Sequence, residues 1–181
     1  EWAAVNAPSP PELVPVKLEA RTAALLILDI QRQNCSAERR PRCVASVPRI
    51  QSLLARARER RLLVVHTLTR NAGEADIRPE VAPLSGEPVV RSSVDKFYRT
   101  ELEASLREAG IRAVILAGTS AHGAVLHTAT GAAQRGFDVI VPVDGMSAGE
   151  PYAEQYTAWH LANSPGTRRR VTLTRIDLIE F

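Results

Sequence analysis

Apolar residues along the chain fall into short unbroken runs, and between these runs they recur every three or four positions. The runs are Ala23 to Ile30 (AALLILDI), Leu62 to Thr67 (LLVVHT), Ile111 to Ala117 and Phe137 to Val143 (FDVIVPV). Their length and Val, Ile and Leu content are those of strands covered on both faces. Val89-Val90 reads as a brief further strand and Arg170 to Leu173 as an edge strand. Ile50, Leu53, Leu54 and Ala57 mark one face of a helix ending at Arg60-Arg61. Thr100 and Glu103 form a capping-box pattern for a helix over Glu101 to Ala109, and Ala153 to Asn163 is a last helix. Strands alternating with helices predict an α/β protein, a three-layer α/β/α arrangement around a mostly parallel, Rossmann-like sheet.

Right-handed crossovers then place Asp29, Thr67, Thr119 and Val143 along one carboxyl edge. Gln31 to Arg42 and Arg70 to Pro88 are polar or Pro- and Gly-containing connections over that edge. Within the stretch GTSAHGAVLHTATGAAQRG, from Gly118 to Gly136, a strand-to-helix turn leads into a helix that begins around His122 or Gly123. Val125, Ala129, Ala132 and Ala133 supply its buried face, and Gly136 ends it. Free backbone N–H groups at such a helix start suit anions and developing negative charge. Glu1 to Lys17 carries four of the twelve prolines and no apolar period, so an extended arm is expected ahead of one domain over residues 1–181.

Composition changes this picture little. The chain is 45% hydrophobic and 24% charged, with a net charge of 23 − 20 = +3. Only 4% of its residues are aromatic, so the Arg-rich segments lack the interleaved stacking residues of a nucleic-acid surface. No apolar run is long enough to span a membrane. Cys35 and Cys43, an even pair, and a start at Glu1 without Met favour an exported protein, in which the two would be bridged; two free cytoplasmic thiols are the alternative.

Asp29 is the first candidate for chemistry, because a carboxylate at the end of an apolar strand is costly to bury without a purpose. A nearby cation would hold its charge state. Lys96 and Arg91 both fit by position. His66, His122, His127 and His160 have no metal-ligand spacing, and no nucleotide-binding glycine motif is complete, so neither a metal nor a cofactor is expected.

The segments ALLILDIQ, FYRTELEASLREAGIRAVILAG and GTSAHGAVLHTATGAAQRGFDVIVPVDG together resemble the isochorismatase-like hydrolases, a superfamily that includes nicotinamidases and cysteine amidohydrolases. The resemblance runs from Thr22 to about Ser147 and implies the α/β/α fold, hydrolysis of a small polar or carboxylated molecule and possible homo-oligomerisation. It implies the catalytic Asp at Asp29 and the catalytic Lys at Lys96 or Arg91. Gln31, Arg91, Ser120, Ala121, His122 and Ala124 become substrate-binding candidates. The family's nucleophilic Cys falls on Ala124, so thioester chemistry is not expected. True isochorismatases lack that Cys and hydrolyse a vinyl ether by proton transfer from the first-strand Asp, which implies the same role for Asp29. A silent member that only binds a ligand is the other reading. The family's non-proline cis peptide is expected at Ser120-Ala121.

Overall fold

The unbroken runs become parallel strands because alternate side chains along each one enter separate cores. The computed structural model describes residues 1–181. In order the elements are β1 (Val16–Lys17), β2 (Ala23–Leu28), α1 (Pro41–Glu59), β3 (Leu63–Thr69), β4 (Val89–Ser92), α2 (Leu102–Glu108) and β5 (Ala113–Thr119). A wide turn over Ala121–Val125 leads into α3 (Leu126–Gln134), followed by β6 (Asp138–Pro142), β7 (Met146–Ser147), α4 (Pro151–Asn163), β8 (Val171–Thr174) and β9 (Ile179–Glu180). The main sheet runs β4-β3-β2-β5-β6-β8, all parallel, with β7 beside the end of β5.

All six residues of β2 are buried. Ala24, Leu26 and Leu28 join the core under α2, α3 and α4, while Ala23, Leu25 and Ile27 join the core under α1. These are the three layers. Strand order reverses between β2 and β5, so their carboxyl ends form the crevice where open α/β sheets bind ligands. Gly118 makes that crevice close-fitting: its φ is 146°, and a Cβ there would lie 2.1 Å from the Leu28 carbonyl oxygen.

Several local expectations need correction. Helix α1 begins at Pro41, inside the segment expected to be loop, because a proline at the first helical position needs no N–H partner. The Thr100 capping box does not form. The Thr100 hydroxyl donates to the Lys96 carbonyl, and Glu103 pairs with Arg135 instead. The turn after Val143 holds β7, two residues too short to show a period. The arm is tied down at its end, where β1 pairs with β9. The cis peptide is Thr119-Ser120, one position before the expected one.

Candidate active site

Asp29 leaves β2 with a φ of 53°, so the chain turns sharply at the switch point as soon as its strand ends. Its carboxylate is held on both oxygens. The Thr67 hydroxyl donates to Oδ1 at 2.7 Å, and Lys96 Nζ lies 2.8 Å from Oδ2. Lys96 has no exposure at all, and its ammonium also reaches the Leu68 carbonyl at 3.4 Å and the Ser92 carbonyl at 3.5 Å. Burial pushes the Asp29 carboxyl above its ordinary value, against the opposing pull of Lys96 and Thr67. Burial likewise lowers the Lys96 ammonium, against the pull of Asp29. The two shifts bring the proton affinities of the carboxyl and the ammonium toward each other.

Lys96 belongs to no helix or strand, and α3 is what positions it. The Thr128 hydroxyl accepts from the Lys96 amide at 3.2 Å and donates to the Val94 carbonyl at 3.2 Å. One turn on, Gly131 leaves room for Asp95: a Cβ there would stand 2.8 Å from the Asp95 carboxylate. That carboxylate accepts the Phe97 amide at 2.9 Å. The small residues of the central helix therefore bring the Lys96 segment close, as well as packing against the sheet.

Of the two candidate cations, Lys96 is the one that meets Asp29. Arg91 sits on β4 beside Leu68, exposed, and reaches neither Asp29 nor the pocket next to it. Gln31 is buried with its amide engaged by Thr69, so it braces the strand ends and is not open to a ligand. Ser120 caps the central turn through its carbonyl, which accepts from Gly123 and Val125. Ala121 and Ala124 are buried there, and His122 is exposed. Cys35 and Cys43 are bridged, with Cα atoms 5.3 Å apart, so the chain has no free thiol. No group of three or more His, Cys, Asp or Glu side chains is arranged to hold a metal ion.

A pocket of about 250 Å³ opens beside Asp29, lined also by Thr69, Arg70, Ser92, Ser93 and Val94. The central turn does not line it but borders it at Val94, since a methyl built on Gly123 would lie 3.9 Å from Val94 Cγ1. Arg70 and Arg40 escaped the sequence reading. Arg40 precedes α1 and donates to the Thr119 hydroxyl at 3.0 Å across the sheet end. Each stands one residue outside an element in an arginine-rich chain, so only the folded edge distinguishes them from surface charges.

A parallel α/β/α sheet with a buried carboxylate–ammonium pair at its switch point is a setting in which open α/β sheets bind small ligands, and comparison with known proteins narrows it. Residues 23–172 match the family description "Isochorismatase domain". The chain is 31% identical over 144 residues to the secreted isochorismatase effector Isc1 of Verticillium dahliae, covering 73% of this chain and 76% of that protein. It is 35% identical over 132 residues to streptothricin hydrolase of Streptomyces noursei, where the match covers 67% of this chain but only 48% of the relative. Among solved structures, an isochorismatase family protein of Desulfovibrio vulgaris superposes with a TM-score of 0.78 at 23% identity, covering 87% of this chain and 95% of that one, a likeness of fold. The chain belongs to the isochorismatase-like hydrolase family.

Proposed function

We propose that the protein hydrolyses a small polar or carboxylated molecule by acid–base catalysis at Asp29, without a cysteine nucleophile and without a cofactor. The observation that carries this reading is the buried pair of Asp29 and Lys96, 2.8 Å apart, in a chain whose only cysteines are locked in a disulfide. With Ala124 at the start of the central helix, no thiol can attack a carbonyl there. What the site retains is a carboxyl whose proton affinity is raised by burial.

In this mechanism the protonated Asp29 gives its proton to the vinyl carbon of the substrate, water adds to the oxocarbenium carbon and returns a proton to Asp29, and the hemiketal so formed collapses with loss of the alcohol. Thr67 orients the carboxyl, and Lys96 stabilises the carboxylate that remains. The test is turnover of a panel of vinyl ethers, amides and esters by the wild type and by Asp29→Asn. Hydrolysis that disappears in the variant supports the reading.

The alanine at position 124 also favours a second reading, a silent member that binds a ligand without converting it. Binding without turnover across the same panel would select it. Export belongs to the proposal as well: the bridged Cys35 and Cys43 suit an oxidising compartment, and the relative from Verticillium dahliae is described as secreted. No helix is long and apolar enough to cross a membrane.

A further inference from the structure

The charges around the Asp29 pocket do not balance. Asp29 and Lys96 are engaged with each other at 2.8 Å. Asp95 is turned onto the Phe97 amide and the Gly131 face of α3, away from the opening. Arg70 remains. It lines the pocket, is exposed, and takes part in no ion pair or hydrogen bond. Arg60, Arg61 and Arg91 are exposed and unpaired as well, but of these arginines only Arg70 lines the pocket that holds Asp29. Beside it, Ser93 offers a hydroxyl that is also unengaged, whereas the neighbouring Ser92 hydroxyl is spent on the carbonyls of Asp95 and Tyr98.

We propose that Arg70 binds an anionic group of the substrate, so that the pocket takes a small organic acid in preference to its neutral ester. The inference rests on the reading of Asp29 as the reactive acid, since it concerns the same pocket. A guanidinium presents paired donors in the geometry that a carboxylate accepts. An arginine free of partners loses no existing ion pair on binding. The volume of about 250 Å³ lies below the range of about 300–1,000 Å³ typical of drug-sized ligands, which points to a molecule smaller than those. An anion seated on Arg70 also places negative charge near Asp29, which favours the protonated form that the proposed reaction uses.

The test uses 2-methoxyacrylate and its methyl ester, a vinyl ether pair that differs at one end in charge and by one methyl group, so the Arg70 variants and not the ligand pair alone isolate the charge. Binding of both is measured by calorimetry on wild type, Arg70→Gln and Arg70→Lys at one ionic strength. The acid is expected to bind wild type about tenfold tighter than the ester or more, as a charge-assisted pair warrants. Arg70→Gln should abolish that preference, and Arg70→Lys should restore part of it. An acid preference that survives Arg70→Gln, or a wild type that does not favour the acid, overturns the proposal. Release of methanol is followed in the same samples to separate the two ideas. Methanol release with an acid preference indifferent to Arg70 removes the anchor and leaves the hydrolase. An Arg70-dependent preference without methanol release keeps the anchor and removes the hydrolase.

Discussion

Gly118 lies so close to Leu28 that a methyl group on it would come within 2.1 Å of the Leu28 carbonyl oxygen. This contact joins the ends of β5 and β2, and Asp29 is the next residue along. Gly118→Ala forces backbone to move on backbone and adds strain at a φ of 146°. The variant is expected to lose several kcal/mol of unfolding free energy or to fail to fold. Urea denaturation checks this, and an unchanged midpoint would contradict the packing described for the crevice.

The pH profile carries the next prediction. Asp29 must be protonated to act, so activity should fall as pH rises through its folded pKa, which burial places above the ordinary carboxylate value. Lys96 opposes that rise. Lys96→Met should therefore raise the Asp29 pKa further and move the alkaline limb to higher pH, even as the maximal rate drops. A limb that stays in place or moves to lower pH would remove Lys96 as the group that sets the acid.

Stability in acid depends on a different pair. Burial would raise the Glu87 carboxyl, but hydrogen bonds from Arg58, the Leu84 amide and His66 outweigh it and hold the pKa at about 2. His66, buried with Nε2 2.8 Å from Glu87, is pushed below its ordinary value by burial, with Glu87 opposing. Both depressed groups contribute stability at neutral pH that is lost as pH falls, His66 below about 6.5 and Glu87 between about 4.5 and about 2. The Glu87 share is on the order of 2–3 kcal/mol, reduced by screening at its partly exposed oxygens. Glu87→Gln should lower the melting temperature at pH 7 and flatten its fall between pH 5 and pH 3, as thermal scans across pH would record.

How legible all this was in the sequence follows from where each signal resides. The four long strands were visible because burial on both faces leaves an unbroken apolar run, and Asp29 was visible because it interrupts one. The start of α1 was not, since Pro41 and Pro48 read as loop residues although Cys43 and Val47 continue the buried face of Ile50, Leu53 and Leu54. Asp29 and Lys96 lie sixty-seven positions apart in the chain, and α3 brings them together through Thr128 and the bare Cα of Gly131. Neither Thr128 nor Gly131 advertises that role in sequence, which is why Arg91 competed with Lys96 for the place beside Asp29. Arg70 is distinguished only by its place in the lining of the Asp29 pocket, which no local sequence pattern marks.

Ala124→Cys probes the start of the central helix. The turn there is intact and Ala124 is 3% exposed, so a thiol at this position would meet the positive end of α3 close to the Asp29 pocket. It should react with a small electrophile such as iodoacetamide faster than an unfolded-peptide thiol, whereas the bridged Cys35 and Cys43 stay silent. Labelling no faster than the peptide would mean that the helix start faces no polarised site.

The central claim is that Asp29 delivers a proton, and hydrolysis of 2-methoxyacrylate in heavy water tests it most directly. Rate-limiting protonation of the vinyl carbon by Asp29 should slow turnover severalfold in heavy water relative to light water, a normal solvent isotope effect on pyruvate release. That isotope effect in the wild type, and loss of turnover in Asp29→Asn with the fold retained by circular dichroism, is the predicted result. Unchanged turnover in Asp29→Asn would contradict the account.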